Sequence, residues 1–461
     1  MFDKQAILQE LVDTYTLKHK KSLEMHNQSS RFLTMGGSHN LRLFFPFPFY
    51  DAQCQGSRVI DIDGNTYIDF WQGHFANILG HNPGIVLDAL TEYFQEGQGL
   101  STGFPGIFQN RLAKIILDRI AADRIRFTTS GTLATMYAIM LSKAFTQKDL
   151  VLKVGGGWHG AQPYALKGIS AYDQGLNQME SAGLPSGLEP SIIMTRFNDI
   201  EDLELKFKTY GHQISCLIIE PFIGAGGFLF GKAEYLKRAR ELTLQCNSLL
   251  VFDEVISGFR FHAGALQSLY GIRPDMTVLG KAIGGGMPVS AVAGSADVME
   301  LLGSGVPSSQ RVKFEGGTFS AHPAAMLAGI TFLDFLVENE KEIYGKIGRL
   351  GESVRGEIEN AFRRYGIPVC CTGGGGPSGT ESSLIGVNFL RQELDEVNTP
   401  EQVWNPEICD FDLREKLFKL AMLNEGFNIF HGYGAISYAH SKEEIQASLD
   451  AIERIARKWS S

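Results

Sequence analysis

"LLVFDEVISGFRF", residues 249–261, runs through four apolar residues and then sets two carboxylates, Asp253 and Glu254, at the end of the run. A short apolar stretch that closes on polar residues and glycine reads as a buried strand, with its acids at the mouth of a sheet. Four further runs have the same form: "RIRFTTSG" (124–131), "LVLKVGGG" (150–157), "CLIIEPF" (216–222) and "MTVLGKAIGGG" (276–286), with helical patterns between them. Strands alternating with helices predict an α/β fold around a mainly parallel sheet, and in such sheets ligands gather beyond the carboxyl ends of the strands. Those ends carry Ser130, Trp158, Glu220, Asp253 and Lys281.

Around this centre the chain divides into three parts. Residues 1–75 read as an amphipathic helix with a basic end, "QAILQELVDTYTLKHKKSLEM", followed by a hairpin signal in "RVIDIDGNTYIDF" around Asp63 and Gly64. Residues 76–335 form the large α/β unit. Residues 336–461 return to helical patterns, pass through "CCTGGGGPSGTESS" (370–383), expected to be a flexible loop, and end in a helix opened by a capping box from Ser441 to Glu444. No internal repeat stands out.

The bulk numbers exclude several classes. With 461 residues, 44% hydrophobic and 20% charged, the chain has the balance of a globular protein with a sizeable core. A net charge of −9 argues against nucleic-acid binding, which needs a basic face, and points to small-molecule partners. Six cysteines without CxxC spacing suggest reduced thiols and a cytoplasmic location. The acidic N-terminus does not read as a secretory signal, and "LFFPFPF" (43–49) is far too short to span a membrane.

The strand ends offer a chemistry. The spacing of Leu133, Met136, Tyr137, Met140, Leu141 and Ala144 predicts a helix that starts near Ser130, Gly131 and Thr132 and turns this face to a core. A helix start presents free N–H groups to a phosphate, although Ser and Thr are also ordinary caps. Lys281 is the one charged residue in an apolar, glycine-rich run; it either snorkels to water or is kept dry as an amine nucleophile. Asp253 could pair with Arg260 or start a helix, but a carboxylate at the mouth of the sheet also suits a ligand cation. One ligand meets all three groups: pyridoxal 5′-phosphate, with Lys281 on its aldehyde, Asp253 on its pyridine nitrogen and the helix start on its phosphate. A unit charge pair ~4 Å apart at an effective dielectric of ~20 contributes roughly 4 kcal/mol, enough to keep that nitrogen protonated near neutral pH.

The motifs "FDEVISGFR", "LGKAIGGGMPVSAVAG", "SGTLATMYAI", "GGWHG", "IIEPF" and "EGGTFSAHPAAMLAG" resemble, in order and spacing, those of the class III pyridoxal-phosphate aminotransferases. The likeness runs from about residue 36 to the last helix and is strongest to the glutamate-1-semialdehyde 2,1-aminomutase branch and its relatives, the β-amino-acid aminotransferases. It implies a fold-type I architecture, with a large mainly parallel-sheet domain and a smaller α+β domain, and a homodimer with shared active sites. Under this resemblance Lys281 is similar to the Schiff-base lysine and Asp253 to the ring-nitrogen partner. Val255 and Trp158 would lie on the two ring faces, with His159 beside Trp158. Ser130, Gly131 and Thr132 would cradle the phosphate, Thr318 would reach the phosphate of the neighbouring subunit, and Glu220 would support the site, a structural ion pair being the alternative. Arg42, in "MGGSHNLRLFFPFPF", resembles a carboxylate-gripping arginine, a task that suits its planar, two-pronged donor edge.

Two departures bear on the reaction. Leu133 stands where the family commonly has an acid, and Gly432 in "FHGYGAISYAH" falls where the aminomutases carry the carboxylate of their gate. The expected activity is therefore amino transfer between a carboxylate-bearing amino donor and a keto acceptor. The rivals are the aminomutase itself, an isomerase, and a cofactor-binding or assembly-line partner. A nicotinamide-binding reading fails because no GxGxxG lies between a strand and a helix.

Overall fold

The computed structural model describes residues 3–100, 103–170, 177–392 and 394–460. Its centre is a seven-stranded sheet ordered Arg124–Thr128, Ser290–Gly294, Met276–Leu279, Leu249–Glu254, Ile214–Ile219, Leu150–Val154, Ile192–Thr195. The last five of these pair in parallel, whereas Ser290–Gly294 runs antiparallel to both of its neighbours. The five expected strands are present, and the sheet is mainly parallel as the alternation of strands and helices implied. Two strands carried no signal: "SAVAG" at 290–294 is built from small residues, and "IIMT" at 192–195 is only four residues long.

Strand alternation sorts the sheet into two faces. Val151, Cys216, Ile218, Val251, Val278 and Val292 cluster with the helix Gly131–Thr146, while Leu152, Leu217, Ile219, Leu250 and Phe252 face the opposite layer. That helix buries Ala134, Tyr137, Ala138, Leu141 and Ser142, and Met140 points outward at 39% exposure. The expected face thus meets the core through Leu133, Met136, Tyr137, Leu141 and Ala144, Met140 alone turning away, while the small side chains of Ala134 and Ala138 let the helix lie close to the sheet.

The two ends of the chain meet beside this core. Arg58–Asp61 and Thr66–Asp69 form the expected hairpin, and Phe427–Asn428 joins its edge in parallel, Phe427 opposite Ile68. Val369–Thr372, Leu384–Phe389 and Tyr433–Ala435 make a further three-stranded sheet. The stretch 370–383 is therefore a strand end and an anchored turn rather than a free loop: buried Arg355 donates to the carbonyls of Ser382 and Leu384. The N-terminal helix is also two helices, Lys4–Lys18 and Lys20–Ser29, broken at His19. There the buried imidazole bonds to the Tyr15 carbonyl and the Tyr67 hydroxyl, which fixes the bend against the hairpin. The capping box forms as expected, Glu444 N–H donating to Ser441 Oγ (3.1 Å) and Ser441 N–H to Glu444 Oε2 (3.0 Å).

Candidate active site

Alternation along Leu249–Glu254 gives its two acids different fates. Asp253 shares the face of Val251 and turns toward the helix Gly131–Thr146; Glu254 turns to the other layer, where it accepts from Leu266 N–H (2.6 Å), Gln267 N–H (3.1 Å) and Ser257 Oγ (2.9 Å). Glu254 is thus occupied in starting the helix Leu266–Tyr270, and burial pushes it up to about 7. Arg260 pairs with neither acid. Its buried guanidinium donates instead to the Phe75 carbonyl (3.1 Å), Ser383 Oγ (2.8 Å) and the Ile436 carbonyl (3.3 Å).

Asp253 is held from two sides. His159 Nδ1 lies 2.8 Å from Oδ2, both groups being buried, and Val255 N–H donates to Oδ1 at 3.1 Å. Burial lowers the proton affinity of His159 against the pull of Asp253, so the ring is a neutral donor through Nδ1. The next strand end adds Glu220, whose oxygens accept from Trp158 N–H (2.8 Å) and Gly224 N–H (2.9 Å). Burial, and then the Asp253 carboxylate, push Glu220 upward. The Trp158 side chain itself is 41% exposed.

Lys281 follows the strand Met276–Leu279, in which Val278 lies opposite Asp253. It is half-buried with φ 48°, a left-handed conformation uncommon for a side-chain-bearing residue. Burial lowers the proton affinity of its amine, and Asp253 and Glu220 partly offset this. Val255 ties the parts together: a Cβ built on Gly131, at the start of the helix, would lie 3.2 Å from Val255 Cγ2, and one built on Gly280, just before Lys281, would lie 3.2 Å from Cγ1. Helix start, valine and lysine turn therefore converge on one small space that side chains at these two glycines would invade. Ser130 caps the helix, its Oγ accepting from Leu133 N–H at 3.3 Å, and Gly160 packs directly on Thr132. Thr318 lies on an exposed stretch beside Phe319, which is 62% exposed; its other neighbour Gly317 packs near Thr129, a Cβ built there lying 3.4 Å from Thr129 Oγ1.

Arg42 lies at the rim in an exposed turn, and its Nε donates to His74 Nε2 at 3.3 Å. Nothing in the sequence singled out His74. It sits in "QGHF", where four successive residues have positive φ: Gln72 (44°), Gly73 (61°), His74 (59°) and Phe75 (68°). Left-handed backbone costs a residue with a Cβ roughly 1–2 kcal/mol, so three such residues persist only because the surroundings impose the turn. Asp69 accepts from Trp71 N–H (3.0 Å) and Gln72 N–H (2.8 Å) at its start, and Arg260 holds its last carbonyl. His431, from the 427–435 segment, bonds to Glu415 and, through Nε2, to the Leu41 carbonyl at 3.2 Å.

A buried carboxylate pinned by a histidine, an amine of lowered proton affinity and a helix start, at the strand ends of an open α/β sheet, define a fold-type I pyridoxal-phosphate protein. The sequence model of the family described as "Aminotransferase class-III" matches residues 46–368. The glutamate-1-semialdehyde 2,1-aminomutase of Persephonella marina is 33% identical over 444 residues, covering 95% of this chain and 98% of its own length. Among solved structures, a β-phenylalanine aminotransferase from Variovorax paradoxus superposes with a TM-score of 0.84 at 27% identity, covering 98% of this chain and 96% of that one. An ω-transaminase from Sphaerobacter thermophilus gives 0.84 at 27%, with 95% and 98% covered. The chain belongs to the class III aminotransferase family, and pyridoxal 5′-phosphate is its cofactor. The residues present fit that group: amides at a helix start for a phosphate, a fixed carboxylate for a ring nitrogen, an amine for an aldehyde, and glycines where a Cβ would crowd the space between them.

Proposed function

We propose that the chain moves an amino group from a carboxylate-bearing amino donor to a keto acceptor. The observation that carries this reading is the meeting of Lys281, Asp253 and the Gly131 helix start around Val255. When bound, the cofactor supplies an electron sink for charge that develops on the substrate carbon. Asp253 would hold its ring nitrogen, and the N–H groups around Ser130, Gly131 and Thr132 its phosphate. Val255 and Trp158 would cover its two faces, and Glu220 fixes the backbone under Trp158. Lys281 Nζ, whose proton affinity burial lowers, would hold the cofactor's aldehyde carbon until an amino substrate displaces it, and would then take the proton from the amino-bearing substrate carbon and deliver it to the cofactor. Arg42 grips the substrate carboxylate. Thr318 and Phe319, exposed on one chain, are covered in a homodimer in which Thr318 completes the neighbouring site.

The second reading, the aminomutase, is favoured by the names of the curated relatives. Against it stands Gly432: its φ is 74°, and a Cβ there would lie 2.6 Å from Arg414 Cγ, so no acidic side chain fits at the gate position. Incubation with 4-amino-5-oxopentanoate separates the two. Turnover that requires an added keto acid supports amino transfer, and 5-aminolevulinate formed without one overturns it. Lys281→Ala should lose the visible band that an amino donor shifts; an unchanged response removes Lys281 from the reaction.

A further inference from the structure

Arg42 does not stand alone at the rim. Its Nε–H is already engaged by His74 Nε2 at 3.3 Å, and a guanidinium whose Nε is taken has one two-pronged edge left, the pair of terminal nitrogens. The acceptor is secured on its own side. His74 is half-buried, packed on Trp71 with ring centroids 4.5 Å apart and near His39 at 5.1 Å. Burial first, then the charges of Arg42, His39, Lys281 and His431, push its proton affinity down to about 3. The ring is therefore neutral, and with Arg42 donating to Nε2 its proton sits on Nδ1. The backbone beneath is the left-handed turn Gln72–Phe75, clamped by Asp69 and Arg260.

We propose that His74 is a positioning residue that orients Arg42, so that the guanidinium presents its terminal edge to the acid group of the substrate and thereby sets the preference for carboxylate-bearing donors. This rests on the reading of Arg42 as the carboxylate grip and adds the residue that aims it. In chemical terms, the neutral imidazole takes the Nε–H that would otherwise allow a carboxylate to bind side-on, and leaves only the end-on mode. The strained turn then has a reason: it holds the acceptor nitrogen at a fixed height, which a right-handed helical turn would not.

The test uses cofactor-loaded enzyme and two probes, 3-aminobutanoate and 2-aminobutane, which differ by the carboxyl group. The rate at which each depletes the visible band of the bound cofactor gives an acid-to-amine preference. Wild type should favour the acid by about 100-fold, and Arg42→Ala should abolish this preference. His74→Phe, which keeps a ring but loses the acceptor, should cut it by roughly 10-fold with little change toward 2-aminobutane. His74→Asn, which tolerates the left-handed backbone but falls short of Arg42, should do the same if the phenylalanine variant fails to fold. His74→Gln restores an acceptor and most of the preference. With Arg42 already removed, His74→Phe should change nothing further, because the two residues act in series. A preference that survives in both His74→Phe and His74→Asn while Arg42→Ala loses it overturns the role of His74 and leaves Arg42 standing. A preference that survives Arg42→Ala, or is absent in wild type, refutes the grip itself and the proposal with it.

Discussion

His159 sits 94 residues from Asp253 in sequence and 2.8 Å from it in space, and removing its donor is the sharpest probe of the site. In His159→Leu the carboxylate keeps, among the described residues, the bond from Val255 N–H at 3.1 Å. A hydrogen bond to a charged group contributes about 1.5–3 kcal/mol, so whatever depends on the fixed carboxylate should weaken by roughly 10- to 150-fold. If Asp253 holds the cofactor ring, that loss appears in cofactor affinity, read by equilibrium dialysis against pyridoxal 5′-phosphate and by the rate at which the visible band decays on dilution. His159→Gln can still donate an N–H and should recover a large part of it. The control is the folded state: far-ultraviolet circular dichroism and the unfolding midpoint of the cofactor-free protein should move little, since the leucine fills most of the imidazole volume. Cofactor binding within about twofold of wild type in His159→Leu, alongside a strong loss in Asp253→Asn, would show that Asp253 holds its place without His159 and refute the reasoning.

The remaining predictions concern backbone packing and a buried acid. In Gly160→Ala the new Cβ falls 2.4 Å from Thr132 Oγ1 and 2.6 Å from Thr132 Cα at φ +80°, so left-handed strain and overpacking together should cost about 2–5 kcal/mol, lower the unfolding temperature by only ~2–5 °C in a chain of this length, and disturb cofactor binding more visibly. Glu254 is raised from 4.5 to about 7 by burial, so the folded state holds a proton that the unfolded state has released; its contribution is complete below pH 4.5 and is lost as pH rises through 7. Near 1.4 kcal/mol per unit this amounts to about 3 kcal/mol. Urea unfolding at pH 5 and pH 8.5 should show Glu254→Gln gaining on wild type by that amount at the higher pH, and parallel curves for the two proteins would contradict it.

How much of this was legible beforehand follows from how far each feature reaches along the chain. Runs such as "LLVFD" and "MTVLGK" disclose their strands because burial on both faces demands unbroken apolar residues, and the chemistry at their ends is a matter of adjacency. "SAVAG" escaped because a strand flanked by neighbours on both sides can be built from small residues, which carry little hydrophobic signal. The fates of Asp253 and Glu254 could have been separated in principle, since alternation puts consecutive acids on opposite faces, but which face holds the site depends on the helix that packs there. On the helix Gly131–Thr146 only Met140 departs from the expected contact face: it is apolar yet 39% exposed, because hydrophobicity alone does not mark where an apolar stripe leaves the core.

The least legible residue was His74, and the reason is physical. Side-chain patterns report on right-handed helices and extended strands, because those are the conformations in which period 3.6 and period 2 exist. A run of left-handed residues has neither, and of the four at Gln72–Phe75 only Gly73 hints at it. What fixes that turn comes from elsewhere: Asp69 at the end of the hairpin, and Arg260 from "FDEVISGFR", whose guanidinium also bridges to Ser383 and the Ile436 carbonyl near the C-terminal sheet. One buried arginine therefore links the strand that supplies Asp253, the turn that presents His74 and the segment that ends the small sheet. Burial pulls Arg260 down to about 10, still charged at neutral pH, so its three bonds must hold for that charge to remain buried. The turn that carries His74 is thus tied to the segment after the Asp253 strand and to the C-terminal sheet through one side chain.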